Sequence, residues 1–132
     1  MARTHPAPTA DAVGRLRAMI GEALRSGTSD IHFEPSAEAM TVRYRIDGVL
    51  HDAEDLELTL GRAMVQRLMV LAELLTYRVD VPQEGRATVT GDQAEQAEAR
   101  IAIMPTIHGL RAAVRLPVAS DRPQHLDDLQ LP

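Results

Sequence analysis

The sequence has 132 residues and a net charge of −5, and it is 45% hydrophobic but only 2% aromatic. This length and hydrophobic content predict one domain with an aliphatic core, and the acidic balance with few aromatic side chains disfavours a nucleic-acid binder. The absence of cysteine excludes disulfides and thiolate metal sites, and no apolar run approaches the ~20 residues of a membrane span or forms a signal peptide.

The first half of the chain predicts one helix followed by three strands. Residues 1–10 are polar and rich in proline, and we expect a disordered leader there. Thr9 or Asp11 can cap a helix that runs to about Ser26, and Gly27 suits the end of that helix. Three strands with alternating polar and apolar residues follow at 30–34, 42–47 and 49–53. The Asp47-Gly48 pair predicts a tight turn between the last two.

The second half predicts one long helix and three more strands. Apolar residues recur at helical spacing between Leu58 and Thr76, and the expected core stripe is Leu60, Met64, Leu68, Leu71 and Leu75. Strands are predicted at 86–90, 99–104 and 110–118, with a solvent-facing loop at 90–98. Two helices and six strands indicate an α+β domain over residues 11–120, with a mainly antiparallel sheet. Residues 121–132 form a polar tail that contains three leucines.

One strand face carries a candidate set of metal ligands. Asp30, His32 and Glu34 alternate along one strand face, and carboxylate with imidazole is metal-ligand chemistry. A solvated or hydrogen-bonded outer face is the favoured alternative, because no second group of ligands accompanies them. The remaining histidines are scattered, and we interpret them as surface residues: His5, His51, His108 and His125. We therefore predict no metal site.

The arginines on the predicted strands are candidates for binding an anion. Arg43 and Arg45 share one face of their strand, Arg111 and Arg115 share a face of the last, and Arg100 opens the strand before it. Guanidinium groups on a rigid sheet suit phosphate or carboxylate. Composition alone favours the alternative of ordinary surface arginines or cross-strand pairs with one of three carboxylates: Asp47, Glu34 or Glu98.

No sequence feature supports nucleotide hydrolysis by this chain. All 14 basic residues are arginine, so the lysine of a phosphate-binding loop is absent, and there is no G-x-G-x-x-G run. We therefore predict a protein that is not an enzyme and has no cofactor of its own.

Five motifs stand in a characteristic order. They are SDIHFEP at 29–35 followed by VRYRIDGVL at 42–50, RLMVLA at 67–72, PQEGR at 82–86, PTIHG at 105–109 running on to Leu116, and LDDLQLP at 126–132. Together they resemble the non-catalytic N-terminal module of the bacterial type II secretion and type IV pilus assembly ATPases. The resemblance covers about Ala12 to Pro132, and the last motif is similar to the family's connector into its ATPase domain.

The resemblance implies a PAS-like α+β fold and a role beside a nucleotide. In that family the module sits over ATP and Mg²⁺ held by a RecA-like domain, and two of its arginines reach the terminal phosphates. Arg100 and Arg115 stand at the matching positions with the family's spacing. Four further arginines are candidates for a supporting role: Arg43, Arg45, Arg86 and Arg111. The implied partners are a RecA-like ATPase domain or other secretion-system proteins, with homo-oligomerisation in a ring, in the cytoplasm and at the inner membrane through partners.

The sequence departs from the family pattern at several positions. Met69 stands where lysine is usual, Leu110 where glutamate is usual, Asp80 where a basic residue is common, and Glu84 where aspartate is usual. The RecA-like domain does not follow in this sequence, so the chain is either an excised piece or a free-standing relative, and Met1 with its leader favours a natural start.

Two other functions remain open. One is a free-standing adaptor that docks protein partners through its sheet and its leucine-bearing tail, without nucleotide; Met69 and Leu110 favour it. The other is a PAS-like small-molecule sensor with a groove between the sheet and the second helix. The scarcity of aromatic residues and the absence of cysteine disfavour a sensor.

Overall fold

The computed structural model describes residues 8–117. Its helices are α1 (Pro8–Arg25) and α2 (Leu58–Leu71), and its strands are β1 (Thr28–Pro35), β2 (Ala39–Ile46), β3 (Val49–Glu57), β4 (Gln83–Thr90), β5 (Gln96–Thr106) and β6 (Gly109–Arg115). The predicted α+β class, with two helices and six strands, is confirmed. Most of the predicted leader, the tail at 121–132, His5 and His125 lie outside the described residues.

A single sheet holds all six strands, in the order β3-β2-β1-β6-β5-β4. Each of the five neighbouring pairs is antiparallel. The pairing of β1 with β6 joins the first three strands to the last three, so residues about 85 positions apart meet at the centre of the sheet. No helix in the described part of the chain is long and apolar enough to cross a bilayer.

Both helices pack on one face of this sheet. Alternate strand residues are buried there, among them Ile31 and Phe33 on β1, Ile101 on β5 and Val114 on β6. Their neighbours in sequence point away from the helices, because successive side chains of a strand face opposite sides. The outer face therefore carries the strand arginines and most other polar strand residues, while Glu54 on β3 pairs with Arg15 of α1.

The end of α2 differs from the sequence prediction. The helix stops at Leu71 rather than Thr76, and Leu75 is exposed instead of lying in the core stripe. Glu73 adopts a positive φ of 57°, and the N–H of Leu74 donates to the carbonyl of Met69, which is the reversal that closes many helices. A glycine usually marks this position, so a glutamate there gave no sequence signal.

Several strand boundaries and one cap were also predicted wrongly: β2, β4 and β5 each begin three residues earlier than predicted, and β6 ends at Arg115. β3 continues to Glu57, because it pairs with β2 along its whole length, and β5 begins at Gln96, so the loop before it is shorter than predicted. Thr9 and Asp11 lie inside the first turn of α1 and do not precede it. The tight turn at 47–48 is confirmed, with φ angles of 52° and 80° that match a two-residue hairpin turn.

Candidate anion-binding face of the sheet

Four arginines and one aspartate form a row across the outer face of the sheet. Arg86 pairs in register with Arg100, Arg100 with Arg115, Arg115 with Asp30, and Asp30 with Arg45. Residues in register on neighbouring strands lie about 5 Å apart and project from the same face. Five strands thus bring these charges together, and three of the arginines are direct neighbours with no carboxylate between them in the row.

Arg100 and Arg115 are exposed and only loosely paired. Nη1 of Arg100 lies 3.6 Å from Oε1 of Glu84, and Nε of Arg115 lies 3.3 Å from Oδ1 of Asp30. Their side chains are 54% and 75% exposed. An exposed ion pair such as Arg100–Glu84 contributes about 0–1 kcal/mol, so an anion with more charge can replace Glu84 at Arg100, while Arg115 presents most of its side chain to solvent. The two guanidinium groups are therefore available to a phosphate.

Asp30 is the acidic residue of the row, and it positions its neighbours. Its side chain is only 13% exposed. It accepts a hydrogen bond of 2.9 Å from the hydroxyl of Ser29, and its second partner besides Arg115 is Arg45, whose Nε lies 4.0 Å away. A largely buried carboxylate needs such partners, because leaving it unpaired is costly. Asp30 thereby orients the guanidinium of Arg115 on the sheet.

The three neighbouring arginines line a shallow depression at one end of their strands. Arg86, Arg100 and Arg115 surround a volume of about 340 Å³, together with Glu98, Leu116 and Pro117. Arg86 is exposed and forms no ion pair with any residue between 8 and 117. Three cations and one carboxylate line this concave surface, and a bound polyanion would neutralise the positive charge that remains.

The other predicted arginines do not reach this depression. Nε of Arg43 lies 2.9 Å from a carboxylate oxygen of Asp52. Arg45 donates to the backbone carbonyl of the β2–β3 turn at 2.9 Å. Arg111 is four residues from Arg115 on β6, which places it about 13 Å away along the strand. Of the six predicted arginines, the structure groups Arg86, Arg100 and Arg115.

Two of the three candidate metal ligands on β1, Asp30 and Glu34, lie beside arginines. Asp30 contacts Arg115, and Oε1 of Glu34 lies 3.7 Å from Nη1 of Arg43. Within residues 8–117, no three His, Cys, Asp or Glu side chains are grouped so that they could hold a metal ion. His51 and His108 lie on the surface.

His32 lies half-buried on the same face, one step along the strand from the arginine row. Burial lowers its pKa below the ordinary 6.5. The carboxylates of Asp30 and Glu34 oppose this shift, while the charges of Arg45 and Arg111 add to it. The neutral imidazole is therefore the form that fits the folded sheet.

Replacing His32 by glutamine is expected to reduce the loss of folding stability that occurs when the pH falls. Because the folded pKa is lowered, the stability contributed by neutral His32 is present above pH 6.5 and is lost as the pH falls through the folded pKa. Thermal unfolding between pH 7.5 and 5 should show a smaller loss of Tm in H32Q than in the parent chain. The matched control is H51Q on the exposed strand β3, and an equal effect of both substitutions would contradict the prediction.

The ion pair between Glu84 and Arg100 was not predicted from the sequence. The sequence predicts Asp47, Glu34 or Glu98 as partners of the arginines, whereas Arg100 is paired with Glu84 on β4. Glu84 and Arg86 share a strand face because they are two residues apart. The register of β4 with β5 then places Glu84 beside Arg100, and that register is not visible in the sequence.

A second concavity, the α2 groove, lies at the opposite end of β6. Its volume is about 490 Å³, and its lining includes Arg62, Val65, Met69, Val79, Thr106 and Leu110. Met69 and Leu110, which depart from the pattern of the resembled family, line the same groove. The two apolar side chains at these positions therefore belong to one surface.

Comparison with known proteins identifies relatives across most of the chain. The Type II/IV secretion system protein family matches residues 8–131. Type II secretion system ATPase E of Vibrio cholerae is 37% identical over 102 residues, which are 76% of this chain and 20% of the relative. Type IV pilus assembly ATPase PilB of Pseudomonas aeruginosa is 31% identical over 111 residues, 84% of this chain and 20% of the relative.

A third relative is matched over a similar share of each sequence. The putative type II secretion system protein E of Escherichia coli K12 is 33% identical over 101 residues, which cover 76% of this chain and 20% of that protein. The chain therefore spans about a fifth of the length of the curated relatives that it matches.

Proposed function

The chain belongs to the Type II/IV secretion system protein family, and we propose that it is a non-catalytic module that supplies arginines to ATP held by a RecA-like ATPase domain. In this proposal Arg100 and Arg115 contact the terminal phosphates, and the contact couples nucleotide state to the position of the module. ATP and Mg²⁺ are shared with the partner, and the module acts in the cytoplasm, at the inner membrane through its partners.

The register of β5 with β6 is the observation that carries this proposal. Arg100 and Arg115 are fifteen positions apart in sequence, yet they are direct cross-strand neighbours. Two arginines whose backbone positions lie about 5 Å apart on neighbouring strands of a rigid sheet can both reach one polyphosphate with their planar guanidinium groups. Arg86, next in the row, adds a third positive charge to the same depression.

The chemistry available to these arginines is charge stabilisation in trans. Charge spreads over the oxygens of the transferred phosphoryl group in the transition state, and an arginine from a neighbouring chain or domain can stabilise it. The chain contains no lysine. The backbone amides and lysine of a phosphate-binding loop must therefore come from the partner.

The α2 groove favours a second candidate function, a protein adaptor that uses no nucleotide. Met69 and Leu110 make its lining apolar, and Ile107 beside it is 95% exposed. Such surfaces occur where proteins bind partners. The two functions use different surfaces of the molecule, so substitutions in the arginine row affect the first and leave the second unchanged.

Light scattering during size-exclusion chromatography tests the proposal directly. The chain is run alone and mixed with the part of the Vibrio cholerae type II secretion ATPase that lies outside the matched region, with and without a non-hydrolysable ATP analogue. We expect a complex that forms or tightens with nucleotide, and faster hydrolysis when the chain is added. The same two parts joined in one polypeptide serve as the control for a contact that needs a covalent link. Unchanged hydrolysis in both arrangements would contradict the nucleotide role.

A further inference from the structure

We propose that the α2 groove binds residues 126–131 of the same chain, with the leucines in the groove and an aspartate against Arg62. This inference concerns a surface that the arginine row does not use. It is therefore independent of the proposed nucleotide role, and either can fail without the other, whereas it competes with the adaptor function, which uses the same groove.

The groove has an apolar floor and an apolar rim. Val65 and Met69 form its floor on α2, and Leu110 closes it from β6. On the rim, Val79 is 60% exposed, and the adjoining Ile107 is 95% exposed. Clustered exposure of large aliphatic side chains marks a surface that can bind a partner, a ligand or another segment.

The exposed rim is held rigidly by the β5–β6 turn. Oγ1 of Thr106 donates to the carbonyl of Gly109 at 2.7 Å and accepts from the N–H of His108 at 3.1 Å. These bonds fix the backbone on both sides of Ile107. The isoleucine is thus presented to solvent by a fixed turn, and an incoming segment meets a preformed surface.

The charge at the groove selects an acidic occupant. Arg62 lies on its rim, and its guanidinium makes one long hydrogen bond of 3.4 Å to the carbonyl of His108. It forms no ion pair with any described residue from 8 to 117, and no acidic residue lines the groove. The fitting partner therefore combines aliphatic side chains with a carboxylate.

Residues 126–131 have this composition. They read Leu-Asp-Asp-Leu-Gln-Leu, with three leucines, two aspartates and no basic residue. The aliphatic side chains match the floor and rim of the groove, and a carboxylate next to a leucine can reach Arg62. A charge-assisted hydrogen bond to arginine adds direction to the apolar contact.

The chain is long enough to make this contact within one molecule. The groove lies at the Gly109 end of β6, and Pro117 lies eight residues away, about 26 Å along an extended strand. Leu129 lies twelve positions after Pro117, and twelve residues span up to about 40 Å when extended. The leucines of 126–131 therefore reach the groove without a second copy of the chain.

Methyl NMR of the full chain labelled at methionine tests the contact. Met69 lines the groove, whereas Met19 on α1 lies outside it and is the internal reference. In the variant with Leu126, Leu129 and Leu131 replaced by serine, the Met69 methyl resonance is expected to shift and the Met19 resonance to stay. Adding a separate peptide of residues 124–132 to this variant should restore the Met69 position in a saturable titration.

Charge reversal tests the role of Arg62. The R62E variant should reproduce the shift of the serine variant, and R62E combined with aspartate-to-lysine changes at positions 127 and 128 should reverse it. An unchanged Met69 resonance in the serine variant would overturn the proposal. Dependence of the parent spectrum on protein concentration would also overturn it, because it would assign the contact to a second copy.

Discussion

Replacing Arg100 and Arg115 together by glutamine is expected to remove the stimulation of ATP hydrolysis that the proposed function predicts for this chain with a RecA-like domain. Arginines that act in trans on a transferred phosphoryl group contribute about 10³ to 10⁵ in rate. We expect a loss near the lower limit, about a thousandfold, because Arg86 remains in the same depression. Phosphate release at saturating ATP measures the effect.

The loss should appear mainly in kcat. A guanidinium that meets charge developing on the terminal phosphate stabilises the transition state more than the bound nucleotide. The stimulation should also fall with added salt, since exposed charges are screened over about 10 Å at 0.1 M. A change in KM alone would indicate that the arginines hold the nucleotide without acting on the reaction.

A matched pair of substitutions separates this effect from a change in net charge. Arg17 on α1 and Arg78 after α2 are exposed arginines outside the depression. The R17Q/R78Q variant loses the same two charges as R100Q/R115Q and should keep the stimulation. Equal losses in the two variants would attribute the effect to general attraction between the chains, and no loss in R100Q/R115Q would refute the phosphate contact.

Local patterns predicted most of the elements because most strands have one buried face. Period-two alternation revealed β1 and β2, and Asp47-Gly48 marked the turn after them. β3 was predicted too short, since this edge strand is exposed on both faces at nearly every position and shows no alternation. The end of α2 was missed because Leu75 continues the helical spacing although the backbone reverses at Glu73.

The arrangement of the candidate site depends on strand order and register. Sequence spacing singled out Arg100 and Arg115 only through the resemblance to a family, whereas their direct opposition follows from the β5–β6 register. Asp30 joins the row because β1 pairs with β6, strands from the two ends of the fold. Long-range pairing of this kind is set by how the whole sheet packs against α1 and α2, and no local pattern encodes it.

Replacing Gly61 by alanine is expected to destabilise the fold by about 2 kcal/mol, even though alanine is the better helix former by about 1 kcal/mol. Gly61 lies on the buried face of α2, where a Cβ atom would come within 2.4 Å of the Cβ and 2.6 Å of the Cγ of Met40 on β2. Met40 is completely buried. The clash with its Cβ cannot be relieved by a change of rotamer, so α2 must move away from the sheet.

The same substitution at Gly14 on α1 is the control, because a Cβ atom there meets nothing within 4 Å. G14A should stabilise the chain by up to about 1 kcal/mol, so the two variants should differ by about 3 kcal/mol in urea unfolding. Shortening Met40 to alanine should not rescue G61A, since the nearest clashing atom remains. If G61A proved as stable as G14A, the close approach of α2 to β2 would be wrong, and with it the position of Met69 in the groove.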